Sequence, residues 1–141
     1  MNLLTDPQMQ LQVLLQVGLA MLLGAIIGLD RELADKPAGL RTHMLVSGAA
    51  ALLVSLSSMM IRDYLDSVGS DYIRSDPIRA VQSVITGVTF LGAGTIIRGS
   101  ERDVEGLTTA VSILFATAVG MCVALSQYWL AGGASVLAVI I

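Results

Sequence analysis

Apolar positions in this chain run in blocks rather than alternating, and the polar and charged residues collect between the blocks. Blocks 13–29 and 81–97 are each about 17 residues long, 44–61 about 18 and 107–125 about 19, enough for a helix to cross a bilayer. A fifth run, 128–141, has about 14 residues, or roughly 21 Å at helical rise. The hydrocarbon core is roughly 30 Å thick, so this run predicts a partial, interfacial or truncated span. The pattern predicts an all-α fold: a polytopic transmembrane helical bundle with four full spans and a short fifth.

Two helix starts carry the same device. Asp6-Pro7 precedes the first block and Asp76-Pro77 the third. An aspartate can cap free N–H groups, and proline suits the first helical position. A shift of seventy residues maps Asp6-Pro7 onto Asp76-Pro77, Gly24 onto Gly94 and Ile26-Ile27 onto Ile96-Ile97. Each Ile-Ile is followed by a charged loop and then Gly39-Leu40-Arg41-Thr42 or Gly106-Leu107-Thr108-Thr109. This reads as an internal repeat of two helical hairpins. Chance similarity between simple apolar segments is the alternative.

Composition agrees with the block pattern. The 141 residues are 55% hydrophobic and 13% charged, too little charge to cover a soluble domain of this size. One transmembrane domain spanning 1–141 is the expected organisation, with the lipid bilayer as its first partner. There is no basic run, aromatic comb or zinc-ligand cluster, so nucleic acid is not an expected partner. The single cysteine, Cys122, lies in an apolar block and reads as a small hydrophobe. The N-terminus lacks the basic stretch and small-residue site of a cleaved signal peptide, so the first helix is expected to be retained.

Lys and Arg set the expected orientation. The loops after the first and third blocks carry Arg31, Lys36, Arg41, Arg98 and Arg102, and the other side carries Arg62, Arg74 and Arg79. Loops one and three are therefore expected in the cytoplasm, with the N-terminus outside.

A few residues within or beside the spans could carry chemistry. Ala20, Gly24 and Gly28 recur every four residues and let another helix approach closely. They predict packing inside one subunit or, alternatively, a homodimer seam. Asp30-Arg31-Glu32 ends the first helix, where the negative end of the dipole disfavours carboxylates. A cluster with Arg31, Arg41 and Arg98 that links loops one and three is the economical reading. The sharper one is a divalent cation held between Asp30 and Glu32, which the intervening arginines oppose. Residues 86–95 hold three glycines, Gly87, Gly92 and Gly94, and three threonines. They predict either close helix packing or a locally broken helix of the kind that binds ions. Thr108 and Thr109 can cap the fourth helix, Thr42 can help start the second, and His43 is expected to make an interfacial hydrogen bond. Arg41 is expected at the headgroups, where it balances the carboxylates that end the first helix. The loop between the second and third blocks is acidic but interleaved with arginines, and reads as a solvated connector. No hydrolase elbow, zinc motif, phosphate loop or haem site is present, so neither enzymatic activity nor a cofactor is expected.

Several of these motifs belong together. Asp30-Arg31-Glu32, then 37–43 (Pro-Ala-Gly39-Leu-Arg41-Thr42-His43), Asp76-Pro77-x-Arg79, Gly87-x-x-Phe90-Leu91-Gly92-Ala93-Gly94 and Gly106-Leu107-Thr108-Thr109-Ala110 resemble the MgtC/SapB membrane protein family in order and over most of the chain. The resemblance implies a bacterial inner-membrane protein with about five hydrophobic segments. It implies a link to growth under magnesium limitation and, in pathogens, to survival inside host cells. It also implies action on another membrane protein complex such as ATP synthase, with magnesium or other ion transport as the alternative. Many members carry a soluble C-terminal domain that has no counterpart in these 141 residues. Some virulence members have asparagine where Thr108 stands and a cysteine near the place of Phe115, so the virulence association does not carry over directly.

Overall fold

The computed structural model describes residues 6–68, 77–98 and 104–141. Five helices follow one another: α1 (Pro7–Leu33), α2 (Leu40–Val68), α3 (Pro77–Thr95), α4 (Leu107–Ala124) and α5 (Tyr128–Ile140). Just ahead of α4 a small antiparallel ladder joins β1 (Ile97–Arg98) to β2 (Val104–Glu105), with Ile97 opposite Glu105 and Arg98 opposite Val104. The fold is the all-α helical bundle that the block pattern predicts.

Among the described residues, α1, α2 and α4 are both long and apolar enough to cross a membrane, and α5 is a shorter apolar helix. By these joint criteria α3 is not among the candidate spans, although it carries the chain from the end of α2 back to the start of α4. At 19 residues α3 has the length, but Arg79, Gln82, glycines and threonines dilute its apolar character. The last residues of its block leave the helix for β1.

Local chemistry sets the helix ends. Asp6 stands at the N-cap of α1, where its side chain accepts a 3.0 Å bond from the Gln8 N–H, and Pro7 follows. The corresponding Asp76 lies outside the described residues, but α3 does begin at Pro77. The repeat extends to the other two helix starts: the Gly39 carbonyl accepts from His43 N–H, and the Gly106 carbonyl from Ala110 N–H. Helices α1 and α4 also end alike. Asp35 (φ 53°) and Ser126 (φ 60°) take the left-handed conformation, and the chain closes back with Lys36 N–H on Arg31 O and Gln127 N–H on Cys122 O.

Helices α1, α2 and α4 pack on one another; α3 lies against α4 and α2, and α5 against α4 and α1. Helix α4 touches all the others and so forms the hub. One buried cluster joins Ala20, Ile27, Ala51, Ala116, Val119 and Val123, and a second joins Ala50, Val54, Val84, Val88 and Ile113. Such small side chains allow close helix contact where lipid supplies no hydrophobic drive for association.

The glycine stripe of α1 takes part in this packing. A Cβ on Gly24 would lie 2.5 Å from the His43 carbonyl and 2.8 Å from Ser47 Cβ, and one on Gly28 would lie 2.8 Å from Leu40 Cα. The stripe Ala20/Gly24/Gly28 is therefore the α1–α2 seam within one chain, and the alternative of a homodimer seam on these residues is corrected. In α3 the helix is unbroken. A Cβ on Gly92 would meet Ala110 Cβ at 3.5 Å, an ordinary contact, whereas one on Gly87 or Gly94 would meet nothing within 4 Å. Close packing thus involves one of the three glycines and requires none of them, and the broken-helix reading is set aside.

A polar node where three helices meet

The end of α1, the start of α2 and the start of α4 converge on a small set of polar groups. His43, in the first turn of α2, is 0% exposed. Its Nδ1–H donates to the Gly39 carbonyl at 2.9 Å, and its Nε2 lies 3.0 Å from Ser112 Oγ on α4. A carbonyl can only accept, so Nδ1 carries the proton. The Ser112 hydroxyl also donates to the Thr109 carbonyl at 2.9 Å. In the neutral ring Nε2 is then an acceptor, and the single Ser112 hydroxyl proton stands between it and the Thr109 carbonyl.

Arg31 supplies the second link. Its Nη2–H donates to Thr109 Oγ1 at 3.2 Å, while its Nε is buried with no partner among the described residues. Thr109 and Ser112 sit one helical turn apart on α4, so α1 and α2 each grip the same face of α4 through one polar side chain. Thr109 is 1% exposed. The hydroxyl that matters at the α4 start is Thr109, since Thr108 is exposed.

Glu32 resolves the puzzle of carboxylates at the end of α1. Its Oε2 accepts a 2.7 Å bond from Leu40 N–H, the first residue of α2. A carboxylate at the wrong end of one helix is thus an N-cap for the next. Gly39 is part of the same construction: a Cβ there would lie 2.8 Å from Glu32 Oε2. Gly106 (φ 87°) plays a comparable part before α4, because a Cβ there would run into the Thr95 carbonyl at the end of α3. Only glycine suits both that conformation and that approach.

The remaining sequence-derived candidates lie around this node or away from it. Asp30 and Arg41 are exposed, and Thr42 is half-buried. Among the described residues Asp30 and Glu32 form no ion pair with Arg31 or Arg41. Among the described residues the expected charge cluster is replaced by hydrogen bonds to a backbone N–H and a threonine hydroxyl, and Arg31 rather than Arg41 is the arginine that turns inward; the Arg98 side chain lies outside the described residues. Arg79 is exposed at the far end of α3, and Asp76 lies outside the described residues. Arg98 belongs to β1 through its backbone. No group of three or more His, Cys, Asp or Glu among the described residues could hold a metal ion. With Glu32 committed to Leu40, Asp30 stands as a lone exposed carboxylate.

Two serines, Ser47 buried and Ser112 half-buried, escaped the sequence reading. Ser112 anchors His43, and Ser47 lies where the three helices come closest. A Cβ on Gly120 of α4 would collide with the Ser47 carbonyl, and Gly24 of α1 presses on Ser47 Cβ from the other side. The Ser47 hydroxyl is buried without a partner among the described residues, so the position calls for a small side chain rather than a hydroxyl. The available signal was spacing: Ser47 follows His43 by one turn, and Ser112 follows Thr109 by three residues.

Comparison with known proteins places these residues in context. Residues 17–141 match the MgtC family. The protein SapB of Bacillus subtilis (strain 168) is 36% identical over 123 residues, covering 82% of this chain and 49% of SapB. The "Putative magnesium transporter YhiD" of Escherichia coli (strain K12) is 33% identical over 133 residues, covering 94% of this chain and 60% of YhiD. The protein MgtC of Salmonella typhimurium (strain LT2) is 38% identical over 109 residues, covering 77% of this chain and 42% of MgtC. The chain thus spans about half the length of these curated relatives. No solved structure matches it.

Proposed function

Because the chain belongs to the MgtC family of multi-pass membrane proteins, we propose that it is a non-enzymatic regulatory module of the bacterial inner membrane that acts on another membrane protein complex when magnesium is scarce. One observation carries this reading. The junction of α1, α2 and α4 is closed by backbone-to-backbone packing at Gly24, Gly28 and Gly120, and its buried polar groups are a histidine, an arginine and hydroxyls. Magnesium favours carboxylate oxygen and keeps much of its water. A tight junction that presents a guanidinium offers it neither ligands nor room. Such a junction is suited to holding a fixed helical surface toward a partner.

Loops one and three face the cytoplasm in this proposal, and the N-terminus lies outside. The test is crosslinking in native membranes, detergent extraction and identification of co-purified proteins. Recovery of one membrane complex, lost when Arg31 and His43 are both replaced by alanine in chains that still insert, is the expected result. Absence of any specific partner, together with magnesium flux by the purified chain, refutes it.

A second reading is magnesium transport, which the name of the YhiD relative favours. Flux into liposomes carrying a magnesium-sensitive dye tests it, with an Asp30→Asn/Glu32→Gln variant alongside. Magnesium entry that the double variant abolishes supports transport, and equal leakage with or without protein removes it.

A further inference from the structure

The end of the bundle opposite the His43 node carries a polar cavity that neither reading uses. Gln16 of α1 lies 15 residues before Arg31, roughly 22 Å along the helix. It is 8% exposed, and its carbonyl accepts a 3.2 Å bond from Ser55 of α2. Its amide nitrogen reaches Ser126 Oγ and Tyr128 OH only at 3.5 Å each, the outer limit of a hydrogen bond. Around it is a cavity of about 110 Å³, whose polar lining comes from Gln12, Gln16, Ser55, Ser58, Arg62 and Ser126. Gln12 and Gln16 are one turn apart on α1, and Ser55, Ser58 and Arg62 follow one stripe of α2. Two polar stripes face each other here between helices that are otherwise apolar.

The donors at this cavity are incompletely used. Ser58 directs its proton to the Val54 carbonyl, which leaves its oxygen lone pairs free. Gln12 and Arg62 line its exposed side and have no hydrogen-bond partner among the described residues. Among the described residues the lining holds one cation and no carboxylate. Among the described acids, Asp6 caps α1 and Asp63 has a partner of its own. A guanidinium and two amide groups beside a low-dielectric helix junction attract an anion rich in acceptor oxygens and repel a metal ion. The volume admits several waters or one tetrahedral oxyanion. The cavity also lies at the end of the bundle where Ser126 follows α4.

We propose that this cavity binds a phosphate group, with Arg62 gripping two of its oxygens and Gln12 and Gln16 donating to the others. The phosphate comes from a lipid headgroup or from solution.

The test uses the full chain in a maltoside detergent free of phosphate. Thermal unfolding is followed against inorganic phosphate, against lysophosphatidate and against chloride at matched ionic strength. The expected result is a saturable rise in melting temperature with a phosphate compound and none with chloride. Arg62→Gln is expected to weaken that response about tenfold or more, the size of a lost charge-assisted hydrogen bond. Gln12→Met, which removes one neutral donor, weakens it less, and the melting temperature of each variant without phosphate shows whether it folds as the wild type does. A response to lysophosphatidate alone identifies the lipid headgroup as the source, and a response to inorganic phosphate identifies the soluble anion; either supports the site. No saturable response to either compound, or equal responses from the wild type and Arg62→Gln, overturns it.

Discussion

At the scale of single residues, two pairs of like side chains have unlike environments. Ser47 is buried and Ser112 half-buried, and one hydroxyl has no partner among the described residues while the other joins His43 to α4. Ser47→Ala removes an unsatisfied group and is expected to leave stability unchanged or slightly raised. Ser112→Ala orphans the His43 ring nitrogen and should cost about 1–3 kcal/mol. Reversible unfolding in detergent, read by circular dichroism, distinguishes them; equal losses would show that the Ser112 bond carries nothing. The glycines divide in the same way. Gly24→Ala pushes a methyl into the α2 backbone and should cost about 1–3 kcal/mol. Gly87→Ala meets nothing within 4 Å and should gain up to about 1 kcal/mol in helix propensity. A measured gain at Gly24 would mean that the seam is looser than its geometry. The motif residues were legible in the sequence, but these environments were not, because glycine and serine look alike in a string whether they face lipid or another helix.

At the scale of elements, α2 and α3 contrast. Helix α2 begins under a cap supplied by α1, through Glu32 on Leu40 N–H. Glu32→Ala should cost about 1 kcal/mol, the usual worth of an N-cap, and Glu32→Gln should retain part of it. Hydrogen exchange at Leu40 and the next two residues is the sensitive readout. Unchanged protection in Glu32→Ala would transfer the capping role to water. The carboxylate near the helix end was visible in the sequence, and only its partner was hidden, since the cap crosses a loop whose path local rules do not specify. Helix α3 buries Val84, Val88 and Gly92 against the bundle and leaves Phe90 80% exposed. Its glycine and threonine content was plain in the sequence; which of those residues pack was not.

At the scale of the molecule, α4 is the hub and the two polar stations lie at opposite ends of the α1–α2–α4 core. Arg31 and His43 fasten one end, and Gln16 and Ser55 the other. Arg31→Ala is therefore expected to lower the melting temperature more than Arg41→Ala does, because Arg41 is exposed and forms no bond among the described residues. A larger effect at Arg41 would restore the headgroup-balancing role that the sequence assigns to it. The proposed orientation has its own check. On a Cys122→Ala background, an impermeant thiol reagent applied to intact cells should label Gln127→Cys and spare Asp35→Cys; the reverse pattern inverts the topology.

The amino-acid order by itself determined the solvent and the element list. Long uncharged blocks must satisfy their backbone internally in lipid, and helices do so without reference to the rest of the chain. The same local logic determined where helices start, at Pro7, Pro77 and the residues after Gly39 and Gly106. Only the tertiary structure decided which small residues face a neighbour, which arginine turns inward, and that Glu32 caps the next helix rather than joining a charge cluster. Those outcomes depend on how α1, α2 and α4 rotate against one another, and that rotation is a compromise over every contact in the bundle at once, which no local stretch of sequence encodes.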